Sequence, residues 1–450
     1  MESINRRNFL KTASTGTAAM AATAPLVKSG LLAQSPNETI NVAITGIRGR
    51  GWAHARNFCQ IPNVKVVTLC DPDESLFAER VADVEERSGV RPKTETDLRR
   101  VLEDKDVDVV SIASQNHWHS LTSVWACQAG KDVYLEKPIS HNIFEGRKAI
   151  EAARKYDRIV QTGTQRRSDP FFVSAMNYLH DGKLGDLYLI RLLILRSRDS
   201  IGRGKIVPIP TDVNFDLWLG PAPWRAFIDN RFHYNWHWFW DTGNGETGNN
   251  GPHVCDLARW ALRKYDHPRK IQSVGGYFGF DCDQETPNTQ NSTMQYADGS
   301  LVQLDVRNLY TNSETGESFG TLFYGTEGWM RVTEDKWETF YGRKNEPGPS
   351  MTREEAEAQL SEELNTRGRR DQPHFYNFID AVRARDRRIL RADVLEGHLS
   401  TSMCHLCNIA YRVGRTLEFD SERENFFGDD EANRLLSRAY RYPFVVPEEV

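Results

Sequence analysis

The run Asn41-Val42-Ala43-Ile44-Thr45 passes into Gly46-Ile47-Arg48-Gly49-Arg50-Gly51, and an apolar-periodic segment, Trp52 to Cys59, follows at once. A short apolar strand that breaks into a glycine turn and re-forms as a helix commits the chain to a parallel β-α-β unit. Glycines there let the backbone approach a pyrophosphate, and the helix N-terminus offers it unpaired N–H groups. A second strand, Val64 to Cys70, ends at Asp71. That carboxylate stands about 20 residues beyond Gly51, the separation expected of a group that accepts from an adenosine ribose. The pattern departs from G-x-G-x-x-G, because the middle glycine position holds Arg48, with Gly49 beside it. Gly46, Arg48, Gly49, Arg50, Gly51 and Asp71 are the dinucleotide-binding candidates. Asp71-Pro72-Asp73 sets carboxylates where a 2′-phosphate would lie, which favours NAD. NADP stays open through Arg48 or Arg50.

The alternation continues. Helical stretches are expected over 74–87, 121–129 and 143–155, with strands over 108–113, 132–135 and 158–161. Strands alternating with helices of this length indicate a doubly wound parallel sheet of the Rossmann type. Ligands bind such sheets beyond the C-terminal strand ends. Three polar segments fall there: the glycine turn, Ser114-Gln115-Asn116-His117-Trp118-His119, and Glu136-Lys137-Pro138. The last places one lysine ahead of a chain-stiffening proline. A nucleotide cradle with a lysine at the mouth of the same sheet suggests redox chemistry on a hydroxyl group.

From Gly163 onward the pattern changes. Strand-like runs at 187–194, 271–280, 292–296, 301–309, 318–324, 329–332 and 337–341 have few helices between them. They predict an α+β domain with a large, mostly antiparallel open sheet. Two helical stretches, 372–385 and 394–413, follow, and the tail from Arg415 is expected to wrap the surface. The organisation read from these shifts is a leader over 1–36, a nucleotide domain over 37–162, a substrate and oligomerisation domain over 163–414, and a tail over 415–450.

Within the second domain, Phe232 to Asp241 is dense in aromatic residues without strict strand alternation. Sugar rings stack on such side chains, so Trp236 and Trp238 are candidate substrate contacts; the competing reading packs these rings against the protein itself. A flexible glycine loop, Gly243 to Pro252, then presents His253 at the start of an amphipathic helix.

Charge excludes some partners. The balance of 57 Lys and Arg against 62 Asp and Glu gives no electrostatic reason to expect nucleic acid or an anionic membrane. No apolar run after the leader reaches the roughly 18 residues of a membrane span. Seven scattered cysteines do not form a disulfide framework. Cys404 and Cys407 fall in an apolar-periodic helix with no second pair, so a packed helix face is read there and no metal site. The leader, with Arg6-Arg7 ahead of Phe9-Leu10-Lys11 and an Ala/Thr/Gly-rich run to Val27, resembles a twin-arginine export signal, with Asn5 where Ser or Thr is usual. It implies a periplasmic or otherwise exported protein. Outside the cytoplasm no free nicotinamide pool replaces a lost cofactor, so tight retention is expected.

Glu136-Lys137-Pro138 resembles the signature of the glucose–fructose oxidoreductase / inositol dehydrogenase (Gfo/Idh/MocA) family. His253 resembles the histidine of that family's Asp-x-x-x-His element, with Asn249 where the aspartate is usual. The resemblance implies that Asn116 and His119 lie near the nicotinamide, with Glu136 and Lys137 at the junction of cofactor and substrate. Lys137 and His253 become the catalytic candidates, and Arg166, Asn249, Trp236 and Trp238 the substrate-binding ones. The expected reaction moves a hydride between a sugar or cyclitol hydroxyl carbon and the cofactor. A redox-neutral NAD-dependent glycoside hydrolase is the alternative, and a non-catalytic carbohydrate-binding or sensor protein a third reading, favoured by Asn249 alone. An open sheet face in such relatives implies a homo-oligomer.

Overall fold

Strand β1 (Ile40–Thr45) is buried at every position but Asn41, as a central strand of a parallel sheet must be. The computed structural model describes residues 39–309, 313–314, 316–364, 366–368 and 370–450; the expected export leader lies outside them. Alternating with β1 come α1 (Gly49–Phe58), β2 (Val64–Cys70), α2 (Phe77–Ser88), β3 (Lys93–Glu95), α3 (Leu98–Glu103), β4 (Val109–Ile112), α4 (Asn116–Gln128), β5 (Asp132–Leu135), α5 (Ile143–Lys155) and β6 (Val160–Thr162). The sheet order is β3-β2-β1-β4-β5-β6, and every pairing in it is parallel. Strand order reverses between β1 and β4, which opens a crevice beyond their C-terminal ends. β4 and β5 are buried throughout, so their apolar runs are continuous rather than alternating.

The second sheet holds ten strands. They are β7 (Leu187–Ile194), β8 (Lys270–Gly276), β9 (Thr289–Gln295), β10 (Leu301–Arg307), β11 (Phe319–Gly325), β12 (Gly328–Val332), β13 (Lys336–Tyr341), β14 (Glu346–Thr352), β15 (Leu417–Asp420) and β16 (Asn425–Phe426). Their order is β14-β13-β12-β11-β7-β10-β9-β8-β15-β16. Only β7 with β10 runs parallel among the described pairings. Helices α6 (Pro170–His180), α8 (Gly245–Leu262) and α11 (Val394–Val413) contribute to the apolar core beneath this sheet; α7 (Phe215–Leu219), α9 (Arg353–Leu360) and α10 (Gln372–Ala384) lie in the same part of the chain.

Several expectations need correction. The glycine segment is not a loop: α8 begins at Gly245 and carries Pro252 inside it, so His253 stands mid-helix. Small residues permit this because α8 lies hard against α11; a Cβ on Gly251 would stand 2.7 Å from the Cys404 Sγ. The tail adds β15 and β16 to the sheet edge rather than only wrapping the surface. β14 contains Pro347 and Pro349, residues a ladder tolerates at its edge. Helix α9 starts with a capping box in which Thr352 and Glu355 bond each other's backbone N–H groups. Cys404 and Cys407 lie in the apolar core on α11.

Candidate active site

The turn after β1 is built for close approach. Gly46 has φ +76, and a Cβ on Gly51 would fall 1.6 Å from the Gly46 carbonyl oxygen. Gly51 is therefore a packing glycine. Gly49, with φ +45, has open space where a Cβ would stand, so it supplies the approach that the missing middle glycine would give. No side chain caps α1, and its first turn holds no acidic residue. Its N-terminus is thus suited to an anion. Asp71 is buried and accepts from the backbone N–H groups of Ile47 at 2.9 Å and Asp73 at 3.0 Å. Burial pushes its carboxyl up to about 6, yet at neutral pH it still carries charge, which repels an added phosphate and accepts from ribose hydroxyls. The residues present fit NAD.

Gly46, Gly49 and Asp71 line a cavity of about 560 Å3 together with Arg48, Arg50, Asn116, His119, Glu136 and Lys137. Asn116 opens α4, and its Nδ2 donates to Asn244 Oδ1 at 3.0 Å. His119 is buried with one ring nitrogen 2.6 Å from the Pro138 oxygen and the other 2.9 Å from the Ser114 oxygen. Burial lowers its pKa, and its contact with the Pro138 oxygen ties α4 to the segment that carries Lys137.

Glu136 is a buried hub. Its Oε1 accepts from Arg50 Nε at 2.6 Å, His54 Nε2 at 3.1 Å and Gln165 Nε2 at 2.9 Å, and its Oε2 accepts from the Lys137 backbone N–H at 3.0 Å. Burial alone would raise its carboxyl, but Arg50 and His54 outweigh it and hold it well below the usual range. Arg50 also bonds Asp371 at 2.6 Å. Two sequence-derived candidates, Glu136 and Arg50, are thus bonded to each other. Lys137 Nζ donates to the Asn249 carbonyl at 2.8 Å, and burial lowers its pKa from that of an ordinary amine.

Arg50 and Lys137 also line a second cavity, of about 610 Å3, with Gln165, Arg166, Asn250 and His253. Amine and imidazole therefore face one space. The His253 Nδ1 is buried with no hydrogen-bond partner among the described residues. Burial and then the charges of Lys137 and Arg166 hold its pKa far below that of a free imidazole. Asn249 is one turn from Glu246, whose buried carboxylate accepts from Asn249 Nδ2 at 3.5 Å, from Asn250, and from the Arg198 fork at 3.1 Å on each oxygen. Glu246 escaped the sequence reading because it sat in an apparent glycine loop.

The aromatic segment divides between its two readings. His233, Tyr234, Trp236 and His237 line the first cavity, whereas Trp238 is buried beneath Arg198, 5.6 Å from its ring centroid. His233 Nε2 meets Asp73 at 2.7 Å, a contact the sequence did not suggest. Arg166 bonds Glu334 at 2.5 Å. Among the described residues one cluster has metal-ligating composition, His267, His398 and Glu424, but Arg147 already forks onto that carboxylate.

Comparison with known proteins agrees with this geometry. Residues 40–164 match the family model described as oxidoreductase family, NAD-binding Rossmann fold, and residues 201–330 and 358–446 match its C-terminal alpha/beta domain. The chain is 31% identical over 154 residues to inositol 2-dehydrogenase of Salmonella typhimurium, covering 34% of this chain and 45% of that protein. It is 23% identical over 209 residues to a glycosyl hydrolase family 109 protein of Shewanella baltica, covering 42% and 45%. The chain thus spans less than half the length of these curated relatives. A levoglucosan dehydrogenase solved with NADH and levoglucosan superposes with TM-score 0.64 at 16% identity, over 85% of this chain and 99% of that one. With both family domains matched along most of its length, the chain belongs to the Gfo/Idh/MocA family of NAD-dependent oxidoreductases.

Proposed function

We propose that this protein is an exported sugar or cyclitol oxidoreductase that keeps its NAD tightly bound. The observation that carries the reaction is that Lys137 borders both the dinucleotide crevice and the cavity holding His253. NAD, when bound, supplies the hydride-accepting carbon. The chain supplies the proton path. A substrate hydroxyl between Lys137 and His253 gives its proton to the His253 imidazole, which burial and the charges of Lys137 and Arg166 keep neutral. The Lys137 ammonium donates to the same oxygen and stabilises the charge growing on it. Glu136 and the Asn249 carbonyl hold that lysine in place. Export rests on the twin arginines Arg6 and Arg7. Among the described residues no helix is long and apolar enough to cross a membrane.

The test has two steps. Mass spectrometry of nucleotide released from the denatured, extensively dialysed protein is expected to find NAD. A panel of sugars and cyclitols added to the intact protein is then expected to produce reduced-nicotinamide absorbance. Protein stripped of all nucleotide by dialysis would sink tight retention.

The family 109 relative favours one other reading, a redox-neutral glycosidase. Release of nitrophenol from nitrophenyl glycosides with no NAD added would support it, and its absence alongside sugar-driven reduction would remove it.

A further inference from the structure

The second cavity carries more positive charge than a neutral sugar requires. Arg166, Arg196, Arg353 and Arg370 line it in addition to Arg50 and Lys137, against Asp169, Glu334, Asp335 and Asp371. Most of these pair off. Arg50 meets Asp371 at 2.6 Å, Arg353 meets Asp169 at 2.6 Å, and Arg166 meets Glu334 at 2.5 Å. Asp335 is 91% exposed and 3.9 Å from Arg353, where solvent screens it. Arg196 is exposed and has no carboxylate partner among the described residues. Its guanidinium instead lies 4.6 Å from the centroid of the Phe319 ring, and Arg166 lies 4.9 Å from the same ring. Two cations gathered on one aromatic ring repel each other. Burial lowers the Arg166 pKa, and the nearby charges of Arg196 and Arg353 lower it further against the pull of Glu334 and Asp169. An anion between these forks removes that repulsion and takes paired N–H donors, the geometry that suits carboxylate and phosphate alike.

We propose that this cavity takes a sugar bearing an anionic group, a carboxylate or a phosphate, held by Arg196 and Arg166 while the reacting hydroxyl faces Lys137 and His253. The choice of reacting hydroxyl rests on the oxidoreductase reading; the binding of the anion does not.

Titration calorimetry on the NAD-loaded full chain, with D-glucuronate, D-glucose 6-phosphate and D-glucose as probes, tests it. At least one anionic sugar is expected to bind about tenfold or more tightly than glucose. That advantage is expected to vanish in Arg196→Gln and to shrink between about 50 and about 300 mM salt. The stronger of the two anions identifies the group. Glucose binding as tightly as both anions, failure of both anions to bind, or an Arg196→Gln variant that weakens all three equally would each overturn the proposal. Reduced-nicotinamide absorbance in the same samples separates the two readings. Anion-selective binding that never reduces the cofactor leaves this site standing and removes the oxidoreduction.

Discussion

In the proposed reaction Lys137 holds a proton against a hydroxyl oxygen and must be able to part with it, so its environment matters more than its reach. Burial lowers its pKa while Glu136 pulls the other way, which brings the amine toward the range where proton exchange is fast. Lys137→Met keeps the volume of the stem and removes the proton. Turnover in steady-state assays is expected to fall by about 10³-fold or more, with the NAD content after dialysis unchanged; near-normal turnover would remove Lys137 from the reaction. His253 predicts something different. A base accepts protons only when neutral, and this ring is neutral from far below pH 6.5 upward because burial, Lys137 and Arg166 disfavour its charged form. The kcat/KM profile of the NAD-saturated protein should therefore be flat across about pH 6 to 7, where a free imidazole titrates. An acid limb centred near 6.5 that disappears in His253→Gln would show an ordinary pKa and count against the buried base.

Helix α8 brings His253, Asn249 and Glu246 to one place, and its position depends on small residues against α11. Gly251→Val puts a branched side chain where a Cβ already comes within 2.7 Å of the Cys404 Sγ. The expected cost is about 1–3 kcal/mol in urea unfolding, accompanied by reduced turnover because the Asn249 carbonyl that holds Lys137 moves with the helix. Cys404→Ala makes room, so the double variant should recover part of the loss; full additivity would show that the two side chains do not press on each other. This helix also marks where local signals stop. The alternation of β1 to β6 was legible because apolar strands, the glycine turn and the Asp71 spacing are all local. Lys137 was legible for the same reason, as a residue just beyond the end of β5. The start of α8 was not, since Gly245 to Gly251 has the composition of a loop and becomes helical only through packing on α11. Arg196 and the Glu246 cluster were equally hidden. Their meaning comes from Phe319 and Arg198, which lie far from them in sequence.

At the scale of the whole molecule, acid should unfold this protein through its histidines. Burial pushes His374 and His398 down to about 4 and His117 and His405 down to about 3. His398 stays neutral because its burial outweighs the opposing pull of Glu424. Its Nε2 and that of His267 both donate, at 2.8 Å, to Glu424 Oε1, a carboxylate that Arg147 of α5 also grips. The cluster pins the loop between β15 and β16 to α5 and α11. For each ring the folded pKa lies below the unfolded value of 6.5, so the unfolded chain binds the extra proton first. The stability these rings contribute is complete above about pH 6.5 and is lost as pH falls toward 4, at roughly 1.4 kcal/mol per pH unit for each. Buried carboxyls act in the opposite sense. Burial raises Asp71 to about 6 and Glu145 to about 7, so the folded state takes up their protons first and gains stability over part of the same interval. Among the described residues burial lowers ten histidines and raises six carboxyls, which leaves a net loss on acidification. The urea midpoint is therefore expected to fall clearly between pH 7 and pH 5, and His374→Gln should reduce that slope by close to one proton. A midpoint unchanged across this interval would mean that the buried rings already carry their protons in the folded protein.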